Sequence, residues 1–257
     1  MSVRTAARRI ALALLPVALL SPAAARAETA ASDSQAVAIA DQVMQALGGK
    51  EHWDQLVGIR WSFGFEVGDT VKNIRRHAWN KHSGWHRVEG KNRAGQAYCL
   101  IENLNTDKGM AWMNGNAIEG DSLQKLLNLA KRVWTNDTYW MLMPYKLRDP
   151  GVNLKYDGEA KDSTGKVFDK LALSFDHVGM TPGDHYWVFV DRASHRIEKW
   201  EYVLQDQKPP PERVTWEGWE EHDGLWFPTA HRRDNGNIFT RDVETVKEFK
   251  PTEFTAP

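Results

Sequence analysis

One cysteine, Cys99, in 257 residues excludes an intrachain disulfide, so the fold must rest on its apolar core. No block of lysine and arginine occurs, and the formal charge is −1. That balance argues against nucleic-acid binding and against adhesion to an anionic membrane. Beyond residue 27 no apolar run approaches the roughly 20 residues of a spanning helix. There is no Gly-x-Ser-x-Gly elbow, no phosphate loop and no dinucleotide fingerprint. No internal repeat or low-complexity segment appears. These absences leave a chain that builds one core, carries no cofactor signature, and gives catalysis no positive support.

The start of the chain reads as an export signal. Arg4, Arg8 and Arg9 precede an apolar run from Ile10 to Ala25, and the first acid is Glu28. Ala25-Arg26-Ala27 offers small residues at both positions a signal peptidase reads. The run is short for a membrane anchor and is broken by Pro16 and Pro22. Cys99 is far from the cleavage point, which leaves no thiol there for acylation. The expectation is a soluble, periplasmic protein cleaved after Ala27, with residues 28–257 as a single domain and no integral membrane segment. Removing the four arginines of the signal moves the formal charge to −5.

Periodicity then gives the elements. Ala36, Ile39, Ala40, Val43 and Leu47 form a helical stripe, capped by Ser32, Asp33 or Ser34 and ended by Gly48-Gly49. A short helical turn with Trp53 and Leu56 follows. From Ile59 the period becomes two: Ile59, Trp61, Phe63, Phe65 and Val67 alternate with polar or small residues. Closely spaced hairpins follow to Met113, with turns at Ser83-Gly84, Lys108-Gly109 and Asn114-Gly115. Leu123, Leu126, Leu127, Ala130 and Val133 predict a helix capped by Asp121 or Ser122. A second short helix is predicted over Asn136 to Met143, stopped by Pro144. Strands resume at Asn153, and Gln207 to Glu212, with three consecutive prolines, is a stiff exposed loop. The fold class is mainly β (α+β). It is read as one large curved antiparallel sheet, an unclosed half-barrel of about eleven strands covered by three helical pieces.

Twelve tryptophans are the compositional excess. Each covers a large apolar area while keeping one polar N–H. On the sheet, Trp61, Phe63 and Phe65 mark one strand, Trp187 and Phe189 share a side of another, and Trp200 and Tyr202 share a side of a third. On the helical insertion, Trp134, Trp140, Met141 and Met143, followed by Tyr145, bring aromatic and flexible thioether groups together. These twelve residues are the candidate lining of an apolar pocket; plain core packing is the alternative for the helical cluster.

The nine histidines include His77, His82 and His86 around the Ser83-Gly84 hairpin, where strand alternation brings His77 and His86 near each other. Their spacing matches no standard metal motif, and they are read as exposed hairpin histidines with no metal. His222, Asp223 and His231 make a weaker cluster in which Asp223-Gly224 is a turn. Cys99, among Tyr98, Leu100 and Ile101, is read as a buried small hydrophobe.

The order of signal, amphipathic helix ending in Leu47-Gly48-Gly49, meander, helical insertion and further strands resembles the LolA/LolB-like periplasmic lipoprotein carriers. The strings Met143-Pro144-Tyr145-Lys146-Leu147, Asp149-Pro150-Gly151 and Thr181-Pro182-Gly183-Asp184-His185-Tyr186-Trp187 resemble a branch of that superfamily to which no chemistry attaches. The resemblance implies an unclosed barrel binding acyl chains beneath helical lids. The chain is longer and richer in tryptophan than the true carriers, and no arginine in it matches the one that holds their lid closed. The expected function is therefore a periplasmic binding or carrier protein sequestering an acyl chain or similar apolar ligand, lipid or lipoprotein. The segment Arg148 to Gly151 is the candidate hinge. An envelope sensor or interaction module with a protein partner is the alternative. A metal-dependent hydrolase around the histidines is a third reading.

Overall fold

A computed structural model describes residues 32–176 and 183–257. The expected signal peptide, residues 1–27, lies outside the described residues. Helix α1 (Ser34–Ala46) is capped by Asp33, whose Oδ1 accepts from the Ala36 N–H at 2.7 Å. Its stripe of Ala36, Ile39, Ala40 and Val43 is buried, as is Leu47 beyond its end. Gly48 then takes φ = 112°, a conformation that side chains other than glycine's resist, and so turns the chain into α2 (Gly49–Gln55).

Strands β1 (Gly58–Val67), β2 (Thr70–Asn80), β3 (Trp85–Lys91), β4 (Ala97–Asn103), β5 (Lys108–Met113) and β6 (Asn116–Ala117) form the expected meander. The chain then crosses through α3 (Gly120–Leu142) and a 3-10 turn (Met143–Lys146). Strands β7 (Val152–Lys161), β8 (Val167–Phe175), β9 (His185–Asp191), β10 (Ile197–Val203) and β11 (Glu212–Thr215) follow. Last come β12 (Glu220–His222), β13 (Leu225–Phe227), β14 (Ala230–Arg233) and β15 (Gly236–Val246). Every pairing is antiparallel.

The strands divide into an eight-stranded sheet ordered β14-β15-β1-β2-β3-β4-β5-β6, a five-stranded sheet ordered β11-β10-β9-β8-β7, and the β12-β13 ribbon. A bridge between Glu217 and Ala230 and the bond from the Arg232 N–H to Thr215 Oγ1 join the two large sheets near β11 and β14. The sheets do not close into a barrel. The β6 and β7 edges are not paired, and α3, in the connection between them, packs on β3, β4 and β5.

The mainly β, unclosed, helix-covered architecture is the expected one, with three refinements, the first being that the expected single sheet is divided into an eight-stranded and a five-stranded sheet and a ribbon. Among the described residues there are fifteen strands against the expected eleven or so, very short ones such as β6, β12 and β14 being among the additions; segments of two to four residues carry no readable alternation. The two helical pieces expected over 123–143 are one helix of 23 residues, starting at Gly120 ahead of the expected caps. No breaker lies between Val133 and Asn136. Thr135 and Thr138 turn their hydroxyls back onto the Lys131 and Trp134 carbonyls, which removes the turn-forming competition such residues otherwise offer. Pro144 ends the helix, as its missing N–H requires.

The main core collects α1, the inner faces of β1 and β7 to β10, and the end of α3. Among the described residues no helix is long and apolar enough to cross a membrane.

Candidate functional site

Beneath α3 the two sheets leave a cavity of about 1110 Å³. Phe63 and Phe65 of β1, Asn73 and Arg75 of β2, and Ile238 of β15 line one side. Phe175, Tyr186, Trp200 and Tyr202 of the smaller sheet line the other, and Trp134 to Trp140 of α3 form the roof. The aromatic rings interlock: Trp140 meets Trp200 edge-on at 4.7 Å, and Tyr139 meets both Trp200 and Tyr186 at 5.8 Å. The Trp134 and Trp200 indole N–H groups are buried and have no hydrogen-bond partner among the described residues. Tyr186 donates to Asp184 Oδ2 at 2.6 Å, and the Gln205 N–H donates to Asp184 Oδ1 at 2.9 Å, which fastens the floor. Lys146 pairs with Asp149 at the rim.

Six of the twelve candidate lining residues stand on this wall: Phe63, Phe65, Trp134, Trp140, Trp200 and Tyr202. The others go elsewhere. Trp61 is buried and stacks on His77 at 4.5 Å. Met141 and Met143 are fully buried in the core below α3. Tyr145 stacks on Trp53, and its hydroxyl lies 2.9 and 2.8 Å from the Leu47 and Trp226 carbonyls and accepts from the Trp226 N–H, pinning the end of α1 to β13. Trp187 pairs with Glu201, and Phe189 with Lys199. Both therefore face away from Trp200, and Lys170 Nζ sits 5.4 Å from each ring. Strand alternation shows that Trp187 and Phe189 share a side; only the register tells which side is concave.

Two of the three hairpin histidines, His77 and His86, require a correction, while His82 is exposed as expected. The two were expected to be exposed, yet His77 is 4 % and His86 0 % exposed. They occupy a diagonal position across β2 and β3 on the face that α3 covers, where no water is left to solvate them. They belong to a buried hydrogen-bond chain. Arg75 Nε and Nη2 donate to the two oxygens of Asp137 at 2.6 and 2.8 Å. Asp137 Oδ2 lies 3.0 Å from His77 Nε2, His77 Nδ1 lies 3.0 Å from His86 Nε2, and His86 Nδ1 lies 3.1 Å from Glu102 Oε1. His82 stands outside this chain, against the Leu56 carbonyl.

Counting protons, with both imidazole rings kept neutral by burial, fixes the chain's polarity. Each of its three links beyond Arg75 needs one hydrogen. With Asp137 ionised, His77 Nε2 donates to it, His77 Nδ1 must accept from His86 Nε2, and His86 Nδ1 must accept from a protonated Glu102. The electrostatics agree. Burial pushes the Glu102 carboxyl up to about 8, against the pull of Lys131. Burial also holds His77 down, outweighing Asp137, and holds His86 well below the ordinary imidazole value. Burial works to raise Asp137, but hydrogen bonds and charges from His77 and Arg75 outweigh it and keep the carboxylate ionised.

Asp137 and Glu102 were missed as members. The available signal was weak: Asp137 falls within the otherwise apolar stripe of α3, and Glu102 shares a face with Leu100. The link from β2 to α3 spans 62 residues, beyond local pattern. It also supplies an arginine that ties sheet to helix, which no sequence string identified.

Among the described residues no group of three His, Cys, Asp or Glu is placed to hold a metal ion. His231 is buried between Trp140 and Trp216, donates to the Thr215 carbonyl, and is pushed down to about 3 by burial. His222 sits instead against Phe227, and Asp223-Gly224 forms the β12–β13 turn with φ of 49° and 82°. Cys99 is buried and its thiol is pushed up to about 11 by burial.

No family model matches the chain, and no curated protein matches it. Among solved structures it is similar to a DUF1329 family protein from Desulfovibrio piger, at 12 % identity and a TM-score of 0.47, over 85 % of this chain and 96 % of that one. It is similar to a LolA superfamily protein from Nitrosomonas europaea at 11 % identity and a TM-score of 0.47, over 86 % and 97 %. Lipoprotein LppX from Mycobacterium tuberculosis follows at 11 % identity and a TM-score of 0.29, over 85 % and 99 %. At these identities no residue's role passes from those chains to this one.

Proposed function

We propose that the protein binds an acyl chain or similarly apolar small molecule in the cavity beneath α3, as an exported periplasmic carrier. The supporting observation is the cavity itself: about 1110 Å³, walled by Phe63, Phe65, Trp134, Trp140, Trp200 and Tyr202. Ligand pockets typically hold roughly 300–1,000 Å³ and are lined by aromatic groups with a few polar ones. Each buried methylene contributes about 0.8 kcal/mol, so a chain of ten carbons has ample driving force even after ordering costs. The Arg148–Gly151 segment, just beyond the 3-10 turn, is the hinge on which α3 would lift. Native mass spectrometry of protein purified from cells, with lipid extraction, tests the reading. A co-purifying lipid is expected, together with a change of tryptophan emission on adding fatty acid. Neither lipid nor emission change would refute it.

A second reading, docking to an envelope partner, draws on the tip of the β1–β2 hairpin. Val67, Val71 and Ile74 are 41–47 % exposed there. Loss of an envelope partner on Val71→Ser, with ligand binding intact, would favour it.

A further inference from the structure

The cavity wall is not uniformly apolar. Where β2 meets α3, it carries Asn73, Arg75, Arg132 and Asn136. Asn73 and Arg75 are two apart on one strand face, and Arg132 and Asn136 are one turn apart on the helix, so the four form a corner. The β2 and α3 residues on the wall include no carboxylate; Asp137 lies behind Arg75. Arg132 is exposed and has no hydrogen bond or ion pair among the described residues. The other cations at the wall are engaged, Lys146 by Asp149 and Arg233 by Glu212. The carboxylates at the wall, Asp149, Asp184 and Asp206, come from other elements.

We propose, resting on the carrier reading, that the ligand is an anionic amphiphile whose head group sits in this corner on Arg132 and Arg75, with the histidine chain supplying the compensating charge. Carboxylate, sulfonate and phosphate head groups share the chemistry: planar guanidinium forks matched to oxyanions, flanked by amide donors. Arg75 is neutralised by Asp137, and an incoming anion must compete for it. The chain removes that conflict without importing a proton. Glu102 O–H passes its proton to His86 Nδ1, and the His86 Nε2 proton passes to His77 Nδ1. His77 becomes a cation bound to Asp137, Glu102 becomes an anion, and Arg75 is released to the ligand. The other charged or titratable groups facing this chain are Tyr98 of β4, Lys131 of α3 and Asp107 of the β4–β5 turn. Trp61 of β1 covers the His77 ring. The Lys131 cation favours the Glu102 anion that the transfer creates, while Asp107 opposes it.

The test compares decylsulfonate with decanol, which share a chain and differ in head-group charge, by tryptophan-emission titration of the full mature protein. Decylsulfonate is expected to bind about tenfold or more tightly than decanol. Arg132→Gln, an exposed site that tolerates the change, is expected to narrow that ratio to about threefold or less. In ¹⁵N spectra of the wild-type histidines, decylsulfonate but not decanol gives His77 a second N–H. Equal affinities, or a ratio untouched by Arg132→Gln, overturn the head-group assignment. An unchanged His77 spectrum overturns the role of the chain. If neither compound binds, the carrier reading falls as well.

Discussion

The tie between Arg75 and Asp137 is the most exacting place to test the reasoning. Asp137 is fully buried and accepts from both Arg75 and His77. Asp137→Asn keeps the volume but removes the charge and turns a donor toward Arg75 and His77. A cation whose side chain is 17 % exposed is then left without its counter-ion. Breaking one side of a buried pair costs about 3–5 kcal/mol, against a total stability of about 5–15 kcal/mol. At about 2–4 °C per kcal/mol for a domain of this size, the midpoint should fall by about 6–20 °C. Thermal melting followed by tryptophan emission measures that shift, urea unfolding measures the free-energy loss, and an unchanged urea slope would show that the unfolded state is not the cause. Because both residues serve one bond pair, Arg75→Gln and Asp137→Asn should be non-additive, with a coupling of about 1 kcal/mol or more. A loss below about 1 kcal/mol for Asp137→Asn, or additivity within about 0.5 kcal/mol, would refute the claim that this pair fastens α3 to the sheet.

Three further outcomes are expected. Glu102 binds its proton up to about 8 in the folded protein against 4.5 unfolded. The folded state therefore holds the extra proton between those values, and stability declines as pH rises through that window, by up to about 1.4 kcal/mol per pH unit. His231, held near 3, works in the opposite sense, costing stability as pH falls below 6.5. Comparing wild type with Glu102→Gln isolates the first effect: the variant should lack the alkaline decline, and parallel curves would contradict it. Cys99 should ignore a thiol reagent at pH 8 until urea unfolds the chain, because burial and a thiol near 11 keep it protonated and covered; rapid native labelling would contradict that. Gly48→Ala should cost about 2 kcal/mol or more in the same urea assay, since φ is 112° and the added carbon would lie 2.0 Å from the Gly224 carbonyl oxygen. A neutral result would refute the strain argument.

Much of the architecture was legible because it is local. The α1 stripe from Ala36 to Leu47, the Gly48-Gly49 stop and the alternation from Ile59 depend on neighbours within one or two turns of chain. The short strands around 220–233 were blurred because a run of three or four residues shows no period. At the site, half of the twelve candidate lining residues reach the cavity wall, since Phe63, Phe65, Trp200 and Tyr202 follow their strands' alternation onto the concave face. The hairpin turn likewise showed that His77 and His86 are close.

By itself, then, the sequence determined that the protein is mainly β, which residues share a face of each strand, and where the covering helix lies. The tertiary structure alone decided which face is inside. Trp200 points into the cavity and Trp187 away from it because β9 and β10 pair in one register, and a register is a relation between two segments that neither encodes alone. It also decided that His77 and His86 are buried polar links rather than exposed ones. Their partners, Asp137 and Glu102, come from another helix and another strand, and only packing those elements together excludes the water that would otherwise have solvated the rings.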